Sequence, residues 1–204
     1  MRRHAVLSAL VAIVVIGVGG ACARPAPTGE PIRVIEQLEI AELERRAREH
    51  GWTEQADVLA KGYVTRADYE QAIDHVRACA EDGGNGISEP TLSPIDNLTL
   101  EFGFPVGAMD DEVIWDLSDR CLQRWHSLVE TGYQVSHEAV MDADILAASL
   151  TCMADAGFPM VGEIRNARDM AARVSPEDGE VLSDCIVEAA MQVRPDLPMV
   201  GVAW

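Results

Sequence analysis

Four cysteines, Cys79, Cys121, Cys152 and Cys185, each fall on the apolar stripe of a segment with helical spacing, and no two form a C-x-x-C pair. The first stripe reads Tyr69, Ile73, Val76, Cys79, and the second Ile114, Leu117, Cys121, Leu128. The third carries Ile145, Cys152 and Ala156, and the fourth Leu182, Cys185 and Ala189. Residues three and four apart share one side of a helix, so each thiol points where a neighbouring helix must pack. Thiols placed this way suit structural disulfides, whereas a reactive thiol sits in a partly exposed, electropositive niche. Four cysteines allow three pairings.

An internal repeat favours one of them. "CAEDGG" at 79–84 and "CMADAG" at 152–157 both read C-x-x-D-x-G at a helix end, and "LSDRC" at 117–121 matches "LSDC" at 182–185 apart from one inserted residue. The chain therefore reads as two related units, about 52–134 and 136–194, each holding one staple: Cys79–Cys121 and Cys152–Cys185. Closing loops of this size stabilises by about 3–4 kcal/mol each in the chain-entropy picture. That is a large share of a typical net stability of about 5–15 kcal/mol.

The local signals fill in a mainly helical chain. Ile32–His50 reads as a helix with Glu42–Arg46 and Glu44–Arg48 spaced for ion pairs, stopped at Gly51, with a short helix over 53–60 after it. Thr65-Arg66-Ala67-Asp68 looks like a capping box for the helix that carries Cys79. Glycines 83, 84 and 86 end that helix. The stretch "GISEPTLSPIDNLTLEFGF" then offers two β-like runs around residues 93–97, a hairpin kept short by its prolines. Asp110-Asp111-Glu112 starts a helix expected to run to about Thr131. His137 or Asp142 opens the next, which ends near Gly157, and a short helix over 165–173 follows. Ser175-Pro176-Glu177-Asp178 marks the start of the last, with serine as the cap. The tail from Pro195 to Trp204 reads as extended.

The N-terminus carries a different plan. Met1-Arg2-Arg3-His4 is basic, Ala5–Val18 is apolar apart from Ser8, and Gly19-Gly20-Ala21 are small. These are the three regions of an export signal over 1–21, and the apolar run is shorter than the roughly 20 residues of a membrane span. Cutting before Cys22 would expose a cysteine for lipid (palmitate and its kin) as in the bacterial lipobox, although Gly19 stands where that pattern prefers a branched residue. Cutting after Ala23 would use Ala21-Cys22-Ala23 as an A-x-A site of ordinary secretion. Cys22 is the odd cysteine of five, which favours the lipid anchor. Residues 22–31, with three prolines and a glycine, read as a tether to a single domain over 32–204. Removal of 1–21 takes two arginines and no acids, leaving 14 basic against 34 acidic residues, a charge of −20. Such a surface repels nucleic acid and anionic membrane.

Motifs for chemistry are sparse. There is no G-x-S-x-G, no phosphate-binding loop and no dinucleotide fingerprint. "DVLAKGYVTRAD" places Asp57, Gly62 and Asp68 as in a calcium loop, but Leu59 and Lys61 occupy ligand positions. His75 and Cys79 at i,i+4, with Cys121 and His126 at i,i+5, suggest a zinc site only if both sulfurs are free, and His126 then turns away from Cys121. Trp52, Trp115 and Trp125 are expected in the core, and Asn97-Leu98-Thr99 as a surface turn.

The segment "GYVTRADYEQAIDHVRACAEDGG", the proline-bearing hairpin and the later cysteine helices resemble a loose group of small actinobacterial cell-envelope lipoproteins. The resemblance spans about Trp52 to Gln134, with an echo to Gln192, and implies a location outside the cell and no defined activity. The expectation is a lipid-anchored, non-enzymatic binding or structural envelope protein with no cofactor and no metal, meeting the membrane through Cys22 and an envelope protein or ligand through its domain. A small exported enzyme or metal/redox protein using cysteine and histidine is the alternative.

Overall fold

A computed structural model describes residues 34–107, 109–197 and 200–202. Residues 1–31, where an export signal, Cys22 and a tether are expected, and Trp204 lie outside the described residues. In chain order the elements are α1 (Val34–Glu49), α2 (Thr53–Leu59), α3 (Arg66–Asp82), β1 (Thr91–Leu92), β2 (Leu100–Glu101), α4 (Asp111–Trp125), α5 (Ser127–Ser136), α6 (Ala143–Asp155), α7 (Ala167–Ala171) and α8 (Gly179–Val193). The chain is mainly helical, with a single two-stranded hairpin among the described residues.

Both disulfides form as the repeat favours. Cys79–Cys121 joins α3 to α4 with 5.8 Å between Cα atoms, and Cys152–Cys185 joins α6 to α8 with 5.6 Å. Each lies in its own apolar cluster. Val76, Leu117 and Cys121 surround the first, next to the large core built by Ile40, Leu43, Leu59, Tyr69, Ile73 and Val129. Ile145, Met153, Met170, Leu182 and Ile186 surround the second. Gly132 lets α5 close on the first core. A Cβ there would lie 2.7 Å from Leu59 Cδ2 and 2.9 Å from Val64 Cγ2.

The local signals behave as their chemistry dictates. Thr65 Oγ1 accepts from the Asp68 amide at 3.2 Å while Asp68 Oδ2 accepts from the Thr65 amide at 3.1 Å, a complete capping box. Asp68 Oδ1 takes Lys61 Nζ at 2.6 Å, so the last carboxylate of the calcium-like loop is closed by the lysine inside it. Glu44 and Arg48 pair at 2.8 Å, but Glu42 pairs with Arg45 rather than Arg46. Arg45 sits one turn from both Glu42 and Glu49 and is drawn to both.

Other expectations are corrected. The helix expected to run from 110 to 131 breaks at His126 (φ −129°, ψ −50°) into α4 and α5, because Gln55 of α2 takes up backbone groups on both sides. Ser175 does not cap a backbone amide. Its hydroxyl donates to Asp178 Oδ2, and Pro176–Asp178 forms a 3-10 turn that feeds α8. Asp142 precedes α6 without capping it through its side chain, since Oδ1 accepts from Asn97 Nδ2 at 2.8 Å. Trp52 and Trp125 are partly buried against the first half, but Trp115 is 69% exposed, one residue off the stripe of Ile114, Leu117 and Cys121.

The hairpin bridges the two halves. Thr91 pairs with Glu101 and Leu92 with Leu100, and the Asp96 carboxylate closes the turn by accepting from the Leu98 and Thr99 amides at 2.9 Å each. Leu98 and Leu100 pack into the first core, whereas Ile95 packs into the second.

Candidate functional site

The staple between α3 and α4 fixes one wall against another. At Gly83, just past the end of α3, a Cβ would lie 2.4 Å from Leu117 Cδ1, so any larger residue would force the Leu117 side chain to shift. Beside this contact opens a cleft of about 400 Å³. Its α3 wall is His75, Ala78 and Cys79, with Asp82 and Gly83 at one end. Its α4 wall is Arg120 and Trp125. A volume of this order suits a small molecule.

Trp125 is held in place. The His75 ring stacks on it with centroids 5.0 Å apart and planes 27° from parallel. The Arg124 guanidinium carbon lies 4.3 Å from the indole centroid, and Arg124 Nη2 donates to Glu54 Oε2 at 2.6 Å. Hydrogen bonding to its own backbone amide and then to Arg124 holds the Glu54 carboxyl below its usual value, against some desolvation. The two other charged groups of the cleft are free. Arg120 and Asp82 are exposed and make no hydrogen bond or ion pair to any described residue. With acids outnumbering bases two to one, most described arginines find a carboxylate, among them Arg45, Arg48, Arg66, Arg77 and Arg165. Arg120 does not.

A second polar group is sealed in the first core. Tyr69 is fully buried, donates from its hydroxyl to Glu130 Oε1 at 3.0 Å, and accepts from the Leu100 amide at 3.1 Å. Burial pushes the Tyr69 hydroxyl well above its usual range. Burial also raises the Glu130 carboxyl, opposed by the Tyr69 hydrogen bond. His126 is 4% exposed and packs against Tyr69 at 5.4 Å and Phe102 at 5.5 Å between centroids. Desolvation lowers it to about 4, and its Nε2 has no hydrogen-bond partner among the described residues. This cluster reads as a structural device that ties α3, α5 and the hairpin together.

The zinc arrangement does not assemble. Cys79 and Cys121 are bonded to each other, His75 faces Trp125, and His126 faces Tyr69 and Phe102. Among the described residues no group of three or more histidine, cysteine or acidic side chains is placed to hold a metal ion. Gly83-Gly84-Asn85-Gly86 forms a turn, with Gly84 at φ 83° and Asn85 Nδ2 donating to the Pro105 carbonyl. Asp110 caps α4 by accepting from the Glu112 amide at 3.0 Å, as its helix-start signal predicts. Asn97 Nδ2 is engaged by the Val140 carbonyl and Asp142.

Of the cleft residues, the sequence motifs mark His75 and Cys79 but not Asp82, Arg120 or Trp125 as site residues. The signal was available in the spacing. Once Cys79 faces Cys121, positions 75, 82 and 83 on one helix and 120 and 125 on the other must flank the same contact.

Fold and cleft together define a class: a small helical domain in two halves, each cross-linked by one disulfide, with an open cleft beside the first. Comparison with family models, with curated proteins and with solved structures finds no match for this chain. No helix among the described residues is long and apolar enough to cross a membrane.

Proposed function

We propose that this chain is an exported envelope protein held on the extracytoplasmic face of the membrane by lipid on Cys22, with a helical domain that acts as a non-catalytic binding module. The observation that carries the reading is that Cys79, Cys121, Cys152 and Cys185 are all consumed in two disulfides inside the domain. Disulfides of this kind belong to oxidising compartments, and their pairing leaves Cys22 as the odd thiol beside an apolar leader. Binding is favoured over Cys/His catalysis or redox chemistry because Cys121 is buried in an apolar cluster. As a leaving thiolate it would be poorly solvated, which opposes exchange at this bond.

Intact mass and a non-reduced peptide map of the protein purified from its native producer test the reading. The expected result is lipid mass on Cys22 with both cross-links intact. A chain that begins at Arg24 would make the protein secreted and unanchored, and free Cys79 and Cys121 would remove the argument against thiol chemistry.

A further inference from the structure

We propose that the cleft between α3 and α4 binds a small zwitterion, an α-amino acid or dipeptide, with Arg120 taking the carboxylate and Asp82 the ammonium. This rests on the reading of the domain as a binding module and names the ligand class for it.

Arg120 and Asp82 line one cleft, carry opposite charge, and lack partners among the described residues. An anion placed there would satisfy Arg120 but face Asp82 and approach through the field of a strongly acidic protein. A cation would satisfy Asp82 but face Arg120, with the Arg124 guanidinium already over the Trp125 ring. A zwitterion meets both groups and is neutral overall, so it crosses the acidic field without a long-range penalty.

Placement of the two ends follows from the helices. Asp82 is the last residue of α3, and the carbonyls of Cys79 and Glu81 accept the capping amide beside it. A helix C-terminus carries partial negative charge and favours a bound ammonium at the Asp82 end. Arg120 presents a planar fork matched to a carboxylate. The rest of the lining includes Ala78, the half-buried Cys79 and Trp125, a surface for an apolar or aromatic side chain. The cross-link of α3 to α4 and the Gly83–Leu117 contact fix the two walls before the ligand arrives, which lowers the cost of binding.

The test is a titration of the disulfide-intact full chain with phenylalanine, followed by calorimetry and by amide shifts at positions 82, 120 and 125. Phenethylamine lacks the carboxylate and 3-phenylpropionate lacks the ammonium, and both are titrated alongside. The expected result is saturable binding of phenylalanine about tenfold or more tighter than either analogue, which is the worth of one charge-assisted hydrogen bond. Arg120→Gln should bring phenylalanine down to the affinity of phenethylamine, and Asp82→Asn down to that of 3-phenylpropionate. Both side chains are exposed, so the variants should keep the parent thermal midpoint. Equal binding of all three ligands, binding unmoved by either substitution, or no saturable shift with phenylalanine or the dipeptide phenylalanyl-alanine would each overturn the proposal. If the native mass still shows lipid on Cys22 and both cross-links, only the ligand class falls. A lost anchor with intact phenylalanine binding would do the reverse.

Discussion

Gln55 and Leu128, 73 residues apart, join across the break between α4 and α5: the Gln55 side-chain oxygen accepts from the Leu128 amide at 2.9 Å. The same oxygen accepts from Val129 at 3.3 Å, and Gln55 Nε2 donates to the Gln123 carbonyl at 2.8 Å. One buried amide therefore replaces the helical bonds that the turn at His126 gives up. Backbone groups orphaned at a helix end need such partners, and leaving them bare in an apolar core is costly.

Gln55→Ala should destabilise the chain by about 3 kcal/mol, since it strips a carbonyl and two amides of partners and leaves a void. Gln55→Glu should also destabilise, because a carboxylate has no N–H for the Gln123 carbonyl. Chemical denaturation of both variants checks this. A loss for Gln55→Ala within the range of an exposed substitution would mean that water or a straightened helix takes over the role.

The two cross-links should contribute almost equally and independently. Their sequence separations, 42 and 33, give loop-closure terms of about 4 kcal/mol each, too close to distinguish. They sit in separate apolar clusters, so losses should add. Paired alanine variants, Cys79→Ala with Cys121→Ala and Cys152→Ala with Cys185→Ala, provide the comparison by denaturant midpoint. A combined loss far from the sum would show that the two halves do not respond separately.

Acid should weaken the fold through His126. Desolvation holds its folded value at about 4 against an ordinary 6.5, so the unfolded chain takes up a proton that the folded chain refuses. Stability is then whole above pH 6.5 and falls as pH drops toward 4, by about 3 kcal/mol at the lower end. Glu130 acts in the opposite sense. Its raised value means the folded state accepts a proton more readily than the unfolded one, which offsets part of the loss. Asp68 acts in a lower window: burial raises its carboxyl, but Lys61 and Thr65 outweigh burial and hold it low. His126→Phe, which keeps an aromatic ring against Tyr69 and Phe102, should flatten the pH 6.5 to 4 limb. An unchanged limb would assign it to other groups.

What the sequence could reveal depended on how far apart the deciding atoms lie. The capping box of Thr65 and Asp68, the cap at Asp110 and the cysteine stripes are set within a few residues, and they were legible. The break at His126 was not, because the residue that permits it sits on α2. Trp115 was misread on composition alone. Its neighbour Ile114 belongs to the buried stripe, and one residue turns a side chain about 100° around a helix, which carries Trp115 out toward solvent. The cleft was half legible: its His75 and Cys79 stood out as possible ligands, but Arg120 and Asp82 acquire meaning only when the cross-link brings their helices together.

Ile95 lies in the hairpin turn, yet its side chain is 2% exposed in the core of the second half, while Leu98 and Leu100 three and five residues on serve the first. The backbone around it adds to the joint. The Val140 amide donates to the Asp96 carbonyl and the Asp142 amide to the Pro94 carbonyl, both at 2.9 Å, and Asn97 Nδ2 donates to the Val140 carbonyl at 2.8 Å. The turn thus holds the segment that leads from α5 to α6. Ile95→Ala removes the apolar plug without touching any of these hydrogen bonds and should cost about 3 kcal/mol. The loss should appear first at the joint, because each half keeps its own core and its own disulfide. Native-state hydrogen exchange should show amides 140 and 142 losing protection while those of α8 and α3 keep theirs. Uniform loss of protection across both halves would instead mean that they unfold as one unit and that the hairpin is no separate joint.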